Sequence, residues 1–252
     1  MKYFGALFLL FIITFNAKAG VVLIDPGHGG EDCGAKAQIW KDKKLIVQCE
    51  KDIALEIAKK IHAKINKTSH IKAYLTRTVD STLTLQQRAD YADKIGADIF
   101  ISIHLNSSHS RSSNGVETYY LDNHDNAAVK KIEKVENSDA KGEEVIINQI
   151  LADLVIQRTA PISKKLAFYV HANLQKRVVP TYKIVDRGTK PALFYVLALS
   201  KRPSILLEAG FLSNQEEVDK LLSEKFQEDY AQAVYRGVVR FFGKPKKKIS
   251  LF

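Results

Sequence analysis

Two segments each place a histidine directly after a short apolar run. Val21-Val22-Leu23-Ile24 leads into Asp25-Pro26-Gly27-His28-Gly29-Gly30, and Ile99-Phe100-Ile101-Ser102-Ile103 leads into His104-Leu105-Asn106. Runs rich in β-branched residues that stop at Pro, Gly or polar residues read as buried strands ended by turns. In open α/β sheets the loops past the carboxyl ends of the strands collect ligands, so both histidines are expected at one sheet edge. Glycines on either side of His28 let the backbone approach closely and leave the imidazole unshielded. Taken singly, the Gly-rich turn could hold a merely exposed histidine, and His104 could cap its strand by bonding a loop carbonyl. The pair points to a metal, because zinc binds neutral imidazoles and carboxylates at about 2 Å.

Two glutamates fit the same edge. Glu50 stands directly before Lys51-Asp52 at the start of an apolar-periodic stretch. A helix following the first strand begins near that strand's carboxyl end, which would complete a His, Glu, His set, a known form of catalytic zinc with a fourth position open to water. An acid in a first helical turn also complements the helix dipole, a role worth under about 1 kcal/mol. Glu208 ends the run Ser204-Ile205-Leu206-Leu207, and a carboxylate at the end of so apolar a strand is costly unless it is paired or catalytic. A general base beside a metal-activated water needs this placement; an ion pair with Arg77, Arg88 or Arg187 is the structural alternative.

The elements that must position these side chains are legible around them. Ile53, Ile57, Ile61 and Ile65, with Ala54 and Ala58, describe an amphipathic helix, and Ile71 to Thr76 reads as the next strand. Thr84 with Gln87 forms a capping box ahead of a helix reaching Ile95. Val116 to Leu121, Leu193 to Leu197 and Ser204 to Leu207 are further strand candidates. Asn214 with Glu217 caps a last helical region reaching Phe242, in which Val234, Val238 and Phe241 share a face. Strands alternating with helices predict one α/β domain. Between Asp122 and Lys165 mixed charges are dense and apolar residues sparse, so 122–165 reads as an insertion. Its second half, Val145 to Ile156, carries Val145, Ile146, Ile150, Leu151 and Leu154 at helical spacing, which predicts a docking helix. His62, His70, His109, His124 and His171 lack comparable settings and read as surface or loop histidines.

The chain has 252 residues, 46% hydrophobic and 26% charged, which suits one substantial core and excludes disorder, collagen and coiled coil. The formal charge of +10 is spread, with one dense run at Lys244, Lys246, Lys247 and Lys248 that makes 244–252 a basic tail. A polyanion or an anionic surface is the expected partner; nucleic acid is not, because no recognition helix or paired aromatic sheet motif is visible. Lys2, the apolar stretch Tyr3 to Phe15 and Ala17-Lys18-Ala19 match the zones of a secretory signal peptide cleaved after Ala19. The apolar stretch is shorter than the roughly 20 residues of a spanning helix, and no transmembrane segment is expected after cleavage.

The succession Ile24 to Gly30, Glu50-Lys51-Asp52-Ile53-Ala54-Leu55, Leu75-Thr76-Arg77, Arg88, Ile101 to Asn106 and Glu208-Ala209-Gly210-Phe211-Leu212-Ser213-Asn214 resembles the zinc-dependent N-acetylmuramoyl-L-alanine amidases over essentially the whole mature chain. The resemblance implies a twisted, mostly parallel six-stranded sheet flanked by helices, catalytic domain 20–243. It implies one zinc ion per chain on His28, Glu50 and His104, with Glu208 as the catalytic glutamate. The implied activity is hydrolysis of the amide between N-acetylmuramic acid and L-alanine in peptidoglycan, by a secreted, periplasmic enzyme. Asn106 and Arg77 are weaker candidates, for substrate contact and for substrate contact or structural support.

One departure lies in Asp32-Cys33-Gly34-Ala35, where the family usually has proline in place of Cys33. Cys33 and Cys49 are the only cysteines, and in an oxidising compartment they invite a disulfide bracing the site; metal binding or two free thiols are the alternatives. In some relatives a helical segment at the place of 122–165 covers the zinc cleft until an activator displaces it, sometimes with a glutamate on the metal. Glu133, Glu136, Glu143 and Glu144 are the candidates here, against the alternative of a solvated charged loop. Two rivals remain at this level: a non-catalytic wall-binding relative, and a zinc peptidase cutting within the stem peptide.

Overall fold

The computed structural model describes residues 19–138 and 143–243; the expected leader, up to residue 18, and the basic tail lie outside the described residues. The first strand, β1 (Gly20–Pro26), lies second from one edge, with β4 (Ile71–Leu75) and β5 (Ile99–Asn106) parallel on its two sides. β8 (Ser204–Phe211) runs parallel to β5, β6 (Val116–Leu121) antiparallel to β8, and β7 (Asp186–Ala192) parallel to β6. The six-stranded order is β4-β1-β5-β8-β6-β7. β5, β6 and β8 are buried along their whole length, as strands covered on both faces must be.

One face of the sheet, with Val22, Ile24, Ile101, Ile103, Ile205 and Leu207, packs on α1 (Glu50–Ile65), α7 (Glu224–Phe242) and the far half of α4 (Glu143–Tyr182). The expected stripe of α1 is the one that docks there: Ile53, Ile57, Ile61 and Ile65 are all buried. The other face, with Leu23, Phe100, Tyr119 and Leu206, is covered by α2 (Leu85–Ile95), α3 (Ala127–Glu136), the near half of α4 and α5 (Tyr195–Leu199). Thr84 and Gln87 exchange both bonds of the capping box, and Gly96 ends α2 in the left-handed conformation. A separate two-stranded ribbon, β2 (Lys36–Lys41) with β3 (Lys44–Cys49), links β1 to α1.

Four readings of the sequence need correction. The sixth strand is β7, Asp186–Ala192, and not Leu193 to Leu197, most of which forms α5 with every residue buried. A short apolar run does not distinguish a buried strand from a buried helical turn, whereas β7 is an edge strand, which tolerates Pro191 and a polar sequence. The last helical region divides at Ser223 into α6 (Gln215–Leu222) and α7. Helix α4 passes straight through position 165, so the second part of the insertion is continuous with a core helix. Its docked side is Asn148, Ala152, Val155, Ile156 and Thr159, while Ile150 and Leu154 face solvent. Of the expected stripe Leu151 packs half-buried beside Ala89, Tyr195 and Leu199, and the side chains of Val145 and Ile146 lie outside the described residues. Ile150 and Leu154 do not dock because the buried side is built from the small Ala152 and the polar Asn148 and Thr159 as well as Val155 and Ile156. His171 and His124 are also not free: His171 is buried between Thr118 and Asp186, and His124 pairs with Glu133.

Candidate metal centre

The turn after β1 is held by its backbone. Arg77, buried, donates to the carbonyls of Pro26, Gly27 and Lys51 at 3.1, 2.8 and 2.8 Å. Arg88 donates to the carbonyls of Pro26 and His28, each at 2.9 Å, and to Asp25 Oδ1 at 2.7 Å. Asp25 also accepts from Thr76 and Ser102. Burial raises the Asp25 pKa, but the Arg88 charge and these hydrogen bonds outweigh it and hold the carboxyl below the ordinary aspartate value. So braced, the chain tolerates His28 at φ 55°, a left-handed conformation uncommon outside glycine. Gly27 is required next to it, because a Cβ there would run into the His104 ring.

His28 and His104 stand between two carboxylates, and ligand atoms of His28, His104 and Glu136 all lie within 4.8 Å of one another. His28 Nε2 and His104 Nδ1 lie 3.2 and 3.0 Å from Glu50 Oε1. Glu136 Oε2 lies 3.2 Å from His104 Nδ1 and 3.8 Å from His28 Nε2. Tetrahedral ligands at about 2 Å from zinc stand about 3.3 Å apart, which is the spacing of this cluster. His28 Nδ1 is tied to Asp32 at 2.6 Å, the kind of outer contact that orients a ligating imidazole. Glu50, only 2% exposed, accepts from Ala35 N and Leu105 N at 2.8 and 2.9 Å. Its helix begins at the strand edge because Cys49, immediately before it, is joined to Cys33 in a disulfide.

His28 Nε2 and His104 Nδ1 are buried without a hydrogen-bond partner. Two buried imidazole nitrogens set against carboxylate oxygens, with no well-formed hydrogen bond among the described residues, fit a divalent cation, since orphaned buried polar atoms are costly. Among the side chains themselves, burial opposes a charge on His28, but Glu50 and Asp32 prevail and its pKa is pushed up to about 11. Burial, together with the charges of Glu50, Glu136 and Glu117, pushes the Glu208 carboxyl well above the ordinary glutamate range. A bound cation would reverse this electrostatic balance.

Glu208 faces His104 across the β5–β8 pairing and Glu117 across the β8–β6 pairing. It is 1% exposed, and its Oε2 has no partner among the described residues. The three arginines that could have paired with it are engaged elsewhere: Arg77 on backbone carbonyls, Arg88 on Asp25, Arg187 on Glu117. Asn106 uses its Oδ1 on Ser107 N and leaves Nδ2 unpartnered. Arg77, weighed for substrate contact from sequence, is 3% exposed and serves the turn instead.

Of the insertion glutamates, Glu136 reaches the histidines. Glu133, one turn earlier, accepts from Leu193 N and pairs with His124. Asn137 bonds the Leu193 carbonyl and Tyr195 N, each at 2.8 Å, so the end of α3 is clasped to the β7–α5 connection. The side chains of Glu143 and Glu144 lie outside the described residues. Sequence reasoning missed Asp25, Asp32 and the position of Arg88 on Asp25. None carries a local signal, because their role exists only between distant segments.

The chain's sequence matches the profile of the family described as N-acetylmuramoyl-L-alanine amidase over residues 22–240. It is 32% identical over 230 residues to the amidase AmiC of Escherichia coli O6:H1, covering 88% of this chain and 52% of the relative, so it spans about half of AmiC's length. The fold is similar to an N-acetylmuramoyl-L-alanine amidase from Clostridium difficile 630, with TM-score 0.66 and 30% identity over 90% of this chain and 98% of that one. It is also similar to the CwlD amidase of Clostridioides difficile, solved in complex with the GerS lipoprotein, with TM-score 0.64 and 27% identity over 88% and 98%. On the extent of the sequence match and this shared fold, the chain belongs to the N-acetylmuramoyl-L-alanine amidase family.

Proposed function

We propose that the protein is a zinc-dependent N-acetylmuramoyl-L-alanine amidase that separates stem peptides from the sugar strands of peptidoglycan. The observation that carries this reading is the pair of orphaned, buried imidazole nitrogens 3.0 and 3.2 Å from Glu50, with an unpaired buried glutamate, Glu208, in register beside them. His28, His104 and Glu50 would hold the metal, which when bound supplies Lewis acidity toward the amide carbonyl and the attacking water. Glu208 Oε2 takes the proton from the attacking water and delivers it to the leaving nitrogen of L-alanine. Asn106 Nδ2, buried without a partner among the described residues two positions past His104, would be a donor for a substrate carbonyl.

Glu136 stands where a fourth ligand would stand, so α3 restrains the site until the insertion moves. A protein partner that draws the insertion away would switch the enzyme on; the CwlD–GerS complex shows that a relative of this fold assembles with a lipoprotein. Secretion into an oxidising, periplasmic compartment accords with the Cys33–Cys49 bridge, and no helix among the described residues is long and apolar enough to cross a membrane.

The test is mass spectrometry of purified peptidoglycan digested by the zinc-loaded protein. The amidase reading expects intact stem peptides beginning at L-alanine and sugar strands bearing free lactyl carboxylates. Fragments cut within the stem would instead identify a zinc peptidase, and an undigested wall that retains the protein would identify a non-catalytic binder.

A further inference from the structure

We propose that the outer face of the β2–β3 ribbon is a subsite for the sugar strand of the wall polymer, an N-acetylated β-linked hexosamine chain, with Trp40 as its stacking platform. The inference rests on the amidase reading above. Side chains alternate along the ribbon as the two-residue strand period requires. Ala37 and Ile39 turn inward and pack on the main core. On the opposite face Trp40 lies across from Leu45 and Gln38 across from Val47. Trp40, Leu45 and Val47 are 75, 51 and 57% exposed, so three large apolar groups share a face that contributes nothing to the core.

That face walls a groove of about 500 Å³, within the range of small-molecule subsites. Besides the ribbon, Arg111, Ser213 and Gln215 line it with polar groups, together with Leu212. An indole facing hydrogen-bonding side chains matches a pyranose, whose C–H face stacks on an aromatic ring while its rim of hydroxyl and acetamido groups seeks donors and acceptors. A lipid surface fits poorly, because inserting this face would desolvate Gln38, Ser213 and Gln215 with nothing to satisfy them.

The groove is tied to the segments that carry the metal centre. Leu212, in its lining, donates its N–H to the Asn106 carbonyl at 2.9 Å, two residues past His104. Ser213 Oγ accepts from Ser108 N at 3.0 Å. The ribbon ends at Cys49, directly before Glu50. A strand whose lactyl amide sits at the metal would therefore continue over Trp40, and the exposed Lys36, Lys43 and Lys44 suit the anionic polymer around it.

Trp40 is the only tryptophan in the chain, so its emission reports this groove alone. Titration of the parent protein with N-acetylglucosamine hexamer and with peptide-free glycan strands is expected to give a saturable blue shift. Trp40→Ala should bind purified sacculi about tenfold more weakly, the loss of one aromatic anchor, with Trp40→Tyr restoring most of it. Emission unmoved by both glycans would overturn the proposal, as would emission moved only by phosphatidylglycerol vesicles or only by the free stem peptide. The titration needs no variant, so a misfolded Trp40→Ala would not protect the idea. Failure of the amidase reading would appear separately, in the fragments the parent releases.

Discussion

Glu50 and Glu136 stand at nearly the same distance from His104, 3.0 and 3.2 Å, yet the molecule holds them in different ways. Glu50 opens a 16-residue helix that buries a full stripe in the main core, and its two oxygens accept from Ala35 N and Leu105 N. Glu136 ends a ten-residue helix with one buried residue, Val129, tied down through Glu133 and Asn137 to the single connection Leu193–Tyr195. The same carboxylate chemistry thus appears once on a foundation that yields only with global unfolding and once on a support that can open locally. Anchoring, and not side-chain type, separates the two carboxylates.

The sharpest way to break this comparison is to remove each carboxylate in turn. Glu50→Ala should lower zinc affinity by at least about 100-fold and abolish hydrolysis, as should His28→Ala and His104→Ala. Glu208→Ala should keep its zinc and lose about 10²- to 10⁴-fold in turnover. Glu136→Ala should keep zinc and raise basal hydrolysis of sacculi about tenfold, a change of sign. Metal content by atomic absorption together with dye release from labelled sacculi checks all five, and an inactive, zinc-depleted Glu136→Ala would place the two glutamates in one class.

The foundation can be attacked at Asp25. Arg88→Met leaves a buried charge without its partner and should cost about 3–5 kcal/mol in denaturant unfolding. The pH dependence follows from the sign of the shift. The folded pKa of Asp25 lies below its unfolded value, so its stabilisation is fully present above the unfolded value of about 3.9 and is lost as pH falls through the folded one. The variant's acid-unfolding midpoint should accordingly move to higher pH.

Reducing the Cys33–Cys49 bridge, which closes a separation of 16 residues, should destabilise by about 3 kcal/mol in the chain-entropy estimate. Thermal melts with and without reductant would read this, and the loss of stability should be accompanied by weaker zinc retention because Glu50 follows Cys49. The smallest effect is expected at the clasp. Asn137→Ala removes two hydrogen bonds from an exposed helix end, about 1–2 kcal/mol of local support, and should raise basal hydrolysis severalfold but less than Glu136→Ala. Equal rates for Asn137→Ala and the parent would show that α3 is held by something other than this connection.

His28, His104, Glu50 and Glu208 were legible in the linear chain because each sits where an apolar run meets a polar residue. That junction is a local signal, and the rule that strand ends share an edge brings the four together. Helices α1, α2 and α7 were legible for a similar reason: their stripes and caps are written within a few residues. The strand β7 was not, since an edge strand paired on one side needs little apolar content. Nor was the β2–β3 ribbon, whose exposed Trp40, Leu45 and Val47 sit among lysines and blur the alternation.

By itself, then, the sequence determined the sheet edge and which two histidines and two glutamates meet at it, because residue type at a strand or helix terminus has direct physical consequences for burial. Only the tertiary structure decided which of the described insertion glutamates reaches the histidines, how Asp25 and Arg88 brace the turn, and that the arginines expected near Glu208 are engaged elsewhere. In a segment of mixed charge, four glutamates are locally equivalent. What distinguishes Glu136 is that Glu133 and Asn137 find backbone groups at Leu193 and Tyr195, contacts between distant parts of the chain that arise only when both sides of the sheet are packed.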